Sequence, residues 1–290
     1  MIDQYLRELS QKDPDERREA LLRVLERENI EYTLQKEEPS EKYPRGIYNY
    51  LFTSEKKETA AAKGTDDGKS LLLFCAHYDA VPGSFGANDN AAAVCILLSL
   101  YKTLSENGID ADFVLFDGEE SGHSGAKLYV DLVEEKKQRR PDGAVNLDVC
   151  GYGDQIVIYG KGSEKKAVFN PFVARDVMKA HDAQIVGYLP ESDDTTLRKG
   201  HIPSLSMAVI PRWDVQYLKA MAASGSGLLG RTPEFRMMES DMEVTSTMHG
   251  GYRDTPDWVQ PEAMEKLLNY LTDVTLHPET KKKHFSFLGH

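Results

Sequence analysis

The sequence predicts one α/β domain built on a mixed, largely parallel sheet with helices on both faces. Three observations predict it. Apolar runs such as Leu71–Ala76 show no alternation and read as strands covered on both sides. Segments with helical spacing separate these runs, as in βαβ units. Neither an internal repeat nor a linker-like stretch divides residues 1–290.

The elements follow in order. Residues 13–29 read as a helix: Asp13 can cap it, Pro14 suits its first turn, and Ala20, Leu21, Val24 and Leu25 recur at helical spacing. "EYTLQ" (31–35) and "IYNYLFT" (47–53) alternate like strands of antiparallel character. The polar stretch 55–69 reads as an exposed hairpin loop. Residues 70–76 form a continuous apolar strand, and the Ala- and Leu-rich 90–105 a helix. "DFVLF" (112–116) is a strand, 124–136 a helix, 143–149 and 155–160 strands, 171–181 a helix and 203–210 a strand. Pro261 opens a final helix over 261–274. Residues 211–248 fit the alternation poorly and read as a lid-like insertion. Its Trp213, Tyr217, Phe235, Met237 and Met238 either line a specificity pocket or bury themselves against the sheet.

Composition narrows the function classes. With 35 basic and 47 acidic residues the net charge is −12, which argues against a nucleic-acid or anionic-membrane binder. The polar start lacks a signal peptide's apolar core. Cys75, Cys95 and Cys150 sit in apolar surroundings without C-x-x-C spacing. Reduced thiols and a cytoplasmic location are therefore expected.

The ionisable residues then stand out by position. His77 directly follows the strand 70–76. Asp117, Glu119 and Glu120 follow the strand 112–116, and Asp148 sits near the end of 143–149. Ligands of open α/β sheets bind outside the carboxyl ends of the strands, so three strands deliver ionisable groups to one edge. A single Asp there is usually a helix cap, but that explanation weakens as strand ends accumulate. "FDGEESG" holds three acids in four residues with no Lys or Arg among them, so a bound cation is the evident compensation. Imidazole with carboxylate and no thiolate suits zinc. The candidate ligands outnumber what one tetrahedral zinc needs; a two-metal site bridged by a carboxylate would use them all.

"HYD" (77–79), "GANDNA" (86–91), "DGEESGHSG" (117–125), "NLD" (146–148) and the late His249 together resemble the co-catalytic zinc aminopeptidases. That family includes bacterial leucyl aminopeptidases, glutamate carboxypeptidase II and, as a one-zinc branch, glutaminyl cyclases. The motifs keep the family's order from residue 71 to about 275. The resemblance implies a zinc-exopeptidase fold of the phosphorylase/hydrolase-like kind, two divalent metal ions, expected to be zinc, and a peptide substrate with a free N-terminus. It implies that His77 and Asp148 hold one metal, Glu120 and His249 the other, and that Asp89 bridges them. Glu119 would be the general base toward a water shared by the two zinc ions, and Asp79 would orient His77. Gly86 and Ala87 would let the backbone approach the metals, and Asn90 would start the next helix.

The implied function is an aminopeptidase acting on short peptides. Glutaminyl-cyclase-like acyl transfer at one zinc is the alternative, and a non-catalytic binding relative a third reading. Two departures from the pattern concern the ligands. In "MHGGYRDTPD" (248–257) the expected Thr-Pro-Asp arrives late; His249 is still preferred over His181 and His201. In "ESDDT" (191–195) Asp194 stands where His is usual, and Asp193 is expected to border the substrate site, unless it is a helix N-cap. Tyr188, Tyr217 and Tyr252 are candidate oxyanion donors.

Overall fold

Four strands run parallel through the middle of an eight-stranded sheet. The computed structural model describes residues 2–54, 71–224 and 232–278. The strands are β1 (Thr33–Glu37), β2 (Ile47–Thr53), β3 (Leu72–His77), β4 (Asp112–Phe116), β5 (Gly143–Leu147), β6 (Gln155–Tyr159), β7 (Ala183–Ile185) and β8 (Ser204–Ile210). Their order is β1-β2-β4-β3-β5-β8-β6-β7. β4, β3, β5 and β8 are mutually parallel, while β2 runs antiparallel to β4 and β6 antiparallel to β8.

Alternation along each central strand assigns its side chains to two faces. Phe74 and Ala76 of β3, Phe113 and Leu115 of β4, and Met207 and Val209 of β8 enter the larger core. The helices α2 (Pro14–Arg27), α3 (Ala92–Glu106) and α9 (Pro261–Leu276) cover it. On the other face, Leu73, Cys75, Val114 and Phe116 pack under α4 (Ser124–Glu134) and α6 (Asp193–Lys199). Beside them Val157, Ala208 and Ile210 pack against α7 (Asp214–Ser224) and α8 (Pro233–Asp241). The remaining short helices are α1 (Leu6–Leu9) and α5 (Arg175–Ala180). Asp13 caps α2, accepting the N–H of Asp15 at 2.8 Å and of Glu16 at 3.1 Å.

The mixed α/β architecture is as expected, with differences in four places. The hairpin loop expected over 55–69 lies wholly outside the described residues, yet β2 and β3 on either side of it are separated by β4, so they form no hairpin. β7 and α6 are additional: three residues and seven residues are too short to leave a clear period. The helix expected over 171–181 is reduced to α5, because residues 171–173 form a turn and Ala174 is extended before it. Residues 211–224 and 232–248 form α7, α8 and a 3-10 turn packed on the β6–β8 side of the sheet. Among the described residues no helix is long and apolar enough to cross a membrane.

Candidate metal centre

The parallel strands end at one edge of the sheet, and the chain leaving each of β3, β4 and β5 carries an ionisable group there. His77 is the last residue of β3 and is buried. Its Nε2 lies 3.3 Å from Asp89 Oδ1 and 3.5 Å from Asp148 Oδ1. These three residues form a group whose potential ligand atoms all lie within 4.8 Å of one another. Zinc ligands at about 2.1 Å in a tetrahedron are about 3.4 Å apart, so these separations fit three corners around one ion.

The loop between β3 and α3 is held from several sides. Asn88 donates to Thr247 Oγ1 at 2.8 Å and accepts the N–H of Gly151 at 2.6 Å. Asn90 donates to the Leu147 carbonyl at 2.9 Å and accepts the N–H of Val149 at 3.3 Å, so its amide brackets Asp148. The Asp89–Asn90 peptide is cis, and α3 begins at Ala92. Asn90 therefore does not start the helix; it ties this loop to the end of β5. Asp254 accepts the N–H of Asn88 at 3.0 Å, the N–H of Asp89 at 3.2 Å and the Ser84 hydroxyl at 2.7 Å.

Asp79 serves two neighbours. His77 Nδ1 lies 3.2 Å from the Asp79 carbonyl and 3.3 Å from its Oδ1. A proton on Nδ1 leaves Nε2 bare toward Asp89 and Asp148. The carboxylate also accepts the main-chain N–H of Glu119 at 3.0 Å and of Glu120 at 3.2 Å. One side chain thus orients the imidazole and fixes the turn after β4.

Several inner atoms lack hydrogen-bond partners. Among the described residues they include His77 Nε2, Glu120 Oε1, Asp148 Oδ1 and both carboxylate oxygens of Asp193. Buried polar atoms are normally paired, so this clustering needs a cause. Burial, together with the acids around it, pushes the Glu119 carboxyl up to about 10 and that of Glu120 up to about 8. Burial pulls His77 down, but Asp148, Asp79 and Asp89 more than reverse it, so it lies well above its ordinary value. Burial would raise Asp89, but His77 and His249 hold it below the usual carboxylate range. A cation among these groups would remove the mutual repulsion and occupy the bare atoms.

The sequence-derived set divides here. His77, Asp89 and Asp148 converge, with Asp79 behind them. Glu120 and His249 are outside the tight group of three. Glu120 keeps its bare, buried oxygen. His249 is exposed with φ +49°, and its main-chain N–H, not its ring, bonds Asp89 Oδ2 at 2.8 Å. Asp193 reaches this edge fully buried, and Ser192, not Asp193, occupies the N-cap position of α6. Burial pushes Asp194 up to about 6 despite its ion pair with Arg198. His123, at the N-cap of α4, places Nδ1 3.8 Å from Glu119 Oε1 and 3.9 Å from Asp193 Oδ1.

An apolar cavity of 270 Å³ adjoins the centre. Asp148 and His249 stand on its rim, and Tyr188, Ala208, Leu218 and Met242 are among its walls. None of the five residues expected to shape a pocket lines it. Phe235 is buried, Tyr217 and Met238 pack on the same core, and Trp213 and Met237 are exposed. Tyr188 stands edge-on to Phe235, with ring centroids 5.2 Å apart.

A parallel sheet edge that gathers an imidazole and carboxylates around bare inner atoms defines an α/β protein with a candidate metal centre. The sequence profile of Peptidase family M28 matches residues 59–263, more than half of the chain, and the chain belongs to that family. Aminopeptidase YwaD of Bacillus subtilis is 40% identical over 83 residues, which are 28% of this chain and 18% of that protein. The chain thus spans less than a fifth of that relative. The fold is shared with BSAP, a zinc aminopeptidase from Bacillus subtilis, at a TM-score of 0.58 and 19% identity over 82% of this chain and 52% of that one. It is also shared with a Porphyromonas gingivalis glutaminyl cyclase, at a TM-score of 0.65 and 14% identity over 96% of both chains.

Sequence reading missed Asn88, Asn90 and Asp254 as holders of the metal-centre loop. Both asparagines lie inside the "GANDNA" motif, and Asp254 lies in the irregular segment after His249. An acid between Arg253 and Thr255 in a loop gives no sign that it reaches back to a loop 165 residues earlier.

Proposed function

We propose that this chain is an aminopeptidase that removes apolar N-terminal residues from peptides at a two-zinc centre. The apolar cavity with Asp148 and His249 on its rim carries this reading. It gives the first side chain of a peptide an apolar compartment beside the acidic groups that attract its free ammonium. Asp193, buried with both oxygens bare, is positioned to share in that attraction. His77, Asp148 and Asp89 would hold one ion, and Asp89, Glu120 and His249 the second. When bound, zinc supplies Lewis acidity toward water and the scissile carbonyl.

The rest is work for the chain's own groups. Asp79 fixes the His77 ring and the Glu119–Glu120 turn. Glu119 takes the proton of the attacking water on its carboxylate and delivers it to the leaving amine. Burial and, after it, the surrounding acids raise Glu119 in the metal-free protein; cations held beside it would favour its ionised form, in which it can act as a base. Of the three candidate tyrosines Tyr188 lines the cavity, and we assign donation to the developing oxyanion to it.

A second reading is acyl transfer at one zinc, as in glutaminyl cyclases. The single tight group of three ligands favours it, because Glu120 and His249 stand outside that group. Zinc content per chain separates the two, measured on the same sample as hydrolysis of aminoacyl chromogenic substrates and cyclisation of N-terminal glutamine, with and without chelator. Two zinc ions with chelator-sensitive release of apolar residues are expected. One zinc with cyclisation transfers the function to the second reading. A zinc-loaded protein that does neither overturns both.

A further inference from the structure

A buried guanidinium is bonded to the loop that leads to Asp89. Arg17 shares a face of α2 with Ala20, Leu21, Val24 and Leu25 and is 3% exposed. Among the described residues it is the only buried lysine or arginine. It donates to the carbonyls of Gln11, at 2.7 Å, Phe85 and Gly86. Gly86 has φ +53°, and a Cβ there would come within 2.8 Å of Arg17 Nη2. The turn is therefore folded around the guanidinium, and Asp89 follows three residues later. Asp254 grips the amides of Asn88 and Asp89 from the other side. The charge of Arg17 also acts on Asp79, Asp254, Asp89 and Glu120. Burial brings Arg17 down only to about 10, so it stays charged at neutral pH.

We propose that Arg17 is a positioning residue of the metal centre: by holding the Phe85–Gly86 turn from the N-terminal helix, it fixes Asp89 where a metal ion needs it. The inference rests on the reading of His77, Asp89 and Asp148 as metal ligands. Arg17 precedes residues 59–263, so the family match does not include it. A planar fork that reaches three carbonyls is what Arg provides and Lys does not. A buried charge is costly unless its hydrogen bonds are complete, so a purely apolar stripe would serve a merely structural helix better.

The test uses the full chain, stripped of metal, with Arg17→Lys and Arg17→Met compared with Leu25→Ala on the same helix. Zinc affinity is read by competition with a chromogenic chelator, and thermal stability is read alongside. Where the parent cleaves an aminoacyl substrate, kcat and KM are measured at saturating zinc. Arg17→Met is expected to weaken zinc binding by roughly 10- to 100-fold and to lower kcat with KM little changed. Arg17→Lys should recover part of the loss. Leu25→Ala should melt earlier but bind zinc like the parent. If Arg17→Lys does not fold, Arg17→Met, which keeps the apolar stem, decides alone. Zinc affinity unchanged in the Arg17 variants, or weakened as much by Leu25→Ala, overturns the proposal. A parent chain that binds no zinc overturns the metal reading beneath it.

Discussion

Asp79→Asn isolates the work of the carboxylate behind His77. The change is isosteric, yet it replaces one acceptor oxygen by an NH₂ group. Asp79 now accepts from Glu119 N at 3.0 Å and Glu120 N at 3.2 Å while facing His77 Nδ1 at 3.3 Å. Whichever way the new amide turns, a donor meets one of these donors. A hydrogen bond to a charged group contributes about 1.5–3 kcal/mol and a neutral one about 0.5–1.5 kcal/mol. One bond lost and the others weakened therefore cost about 2–4 kcal/mol by this count. In the metal-free protein the cost is partly offset, because the lost charge also relieved repulsion with nearby Asp117 and Glu120. In the metal-loaded protein nothing offsets it, because the lost charge also attracted the cations. Zinc affinity, the difference between the two states, therefore registers both changes in the same direction, whereas thermal stability of the metal-free chain mixes them. The expected loss is roughly 10- to 100-fold in zinc affinity, about 1.4–2.8 kcal/mol, read by chelator competition at neutral pH. A variant that binds zinc within twofold of the parent would refute the assignment of Asp79 as the orienter of His77.

Three further outcomes follow from the same geometry. Glu119→Gln should retain zinc and lose about 10²–10⁴-fold in kcat, and equal loss of zinc would make Glu119 a ligand instead. Glu119 and Glu120 sit at about 10 and about 8 in the folded metal-free protein, above the 4.5 of a free carboxyl. The folded state then binds protons that the unfolded state has released, so the stability these two groups contribute is fully present below about pH 4.5 and is lost as pH rises through those values. The melting temperature of chelated protein should therefore fall between about pH 5 and about pH 8 while the increment from added zinc grows; a flat profile would contradict the burial of these acids. Ala208→Phe, on the wall of the apolar cavity, should lower kcat/KM for leucyl relative to alanyl substrates by about 10- to 200-fold, and an unchanged ratio would place the first side chain elsewhere.

The parallel part of the fold was legible because β3, β4 and β5 are continuous apolar runs, each ending in chemistry-bearing residues. The convergence of His77 and Asp148 was legible for the same reason, since parallel strands of similar length end at one edge, whereas Asp89, in a loop beyond β3, was singled out only by the resemblance of its motif. What escaped was set by partners distant in sequence. Arg17 is one more charge in "PDERREALLRVLER" until its face of α2 is matched to the loop it holds. Of the two readings of Trp213, Tyr217, Phe235, Met237 and Met238, packing on the core holds for Tyr217, Phe235 and Met238, and the cavity is lined by other residues inside and outside that segment. Burial of Leu218, Met242 and Val244 against β8 is decided by packing, and exposed Trp213 and Met237 carry the same hydrophobic signal. His249 was singled out by type, but a loop with φ +49° at that residue is not written in its neighbours.

The distribution of hydrogen bonds argues that this edge is built for a cation. Outward-facing atoms are satisfied: Asp89 Oδ2 by the His249 N–H, both Asp79 oxygens by main-chain N–H groups, and the loop amides by Asp254. Inward-facing atoms are bare: His77 Nε2, Asp148 Oδ1 and Glu120 Oε1. Each buried polar atom left without a partner costs about 1–3 kcal/mol, so these three alone approach the total stability of about 5–15 kcal/mol typical of a domain. A purely structural site would relieve that cost with a hydroxyl, an amide or an apolar replacement. Here the turn that carries Asp148 is instead pinned by Asn90 and the turn that carries Glu120 by Asp79, while Asp254 and Arg17 hold the neighbouring loop of Asp89. Such pinning keeps like-charged groups together against their repulsion. A positive charge shared among them would turn that repulsion into attraction.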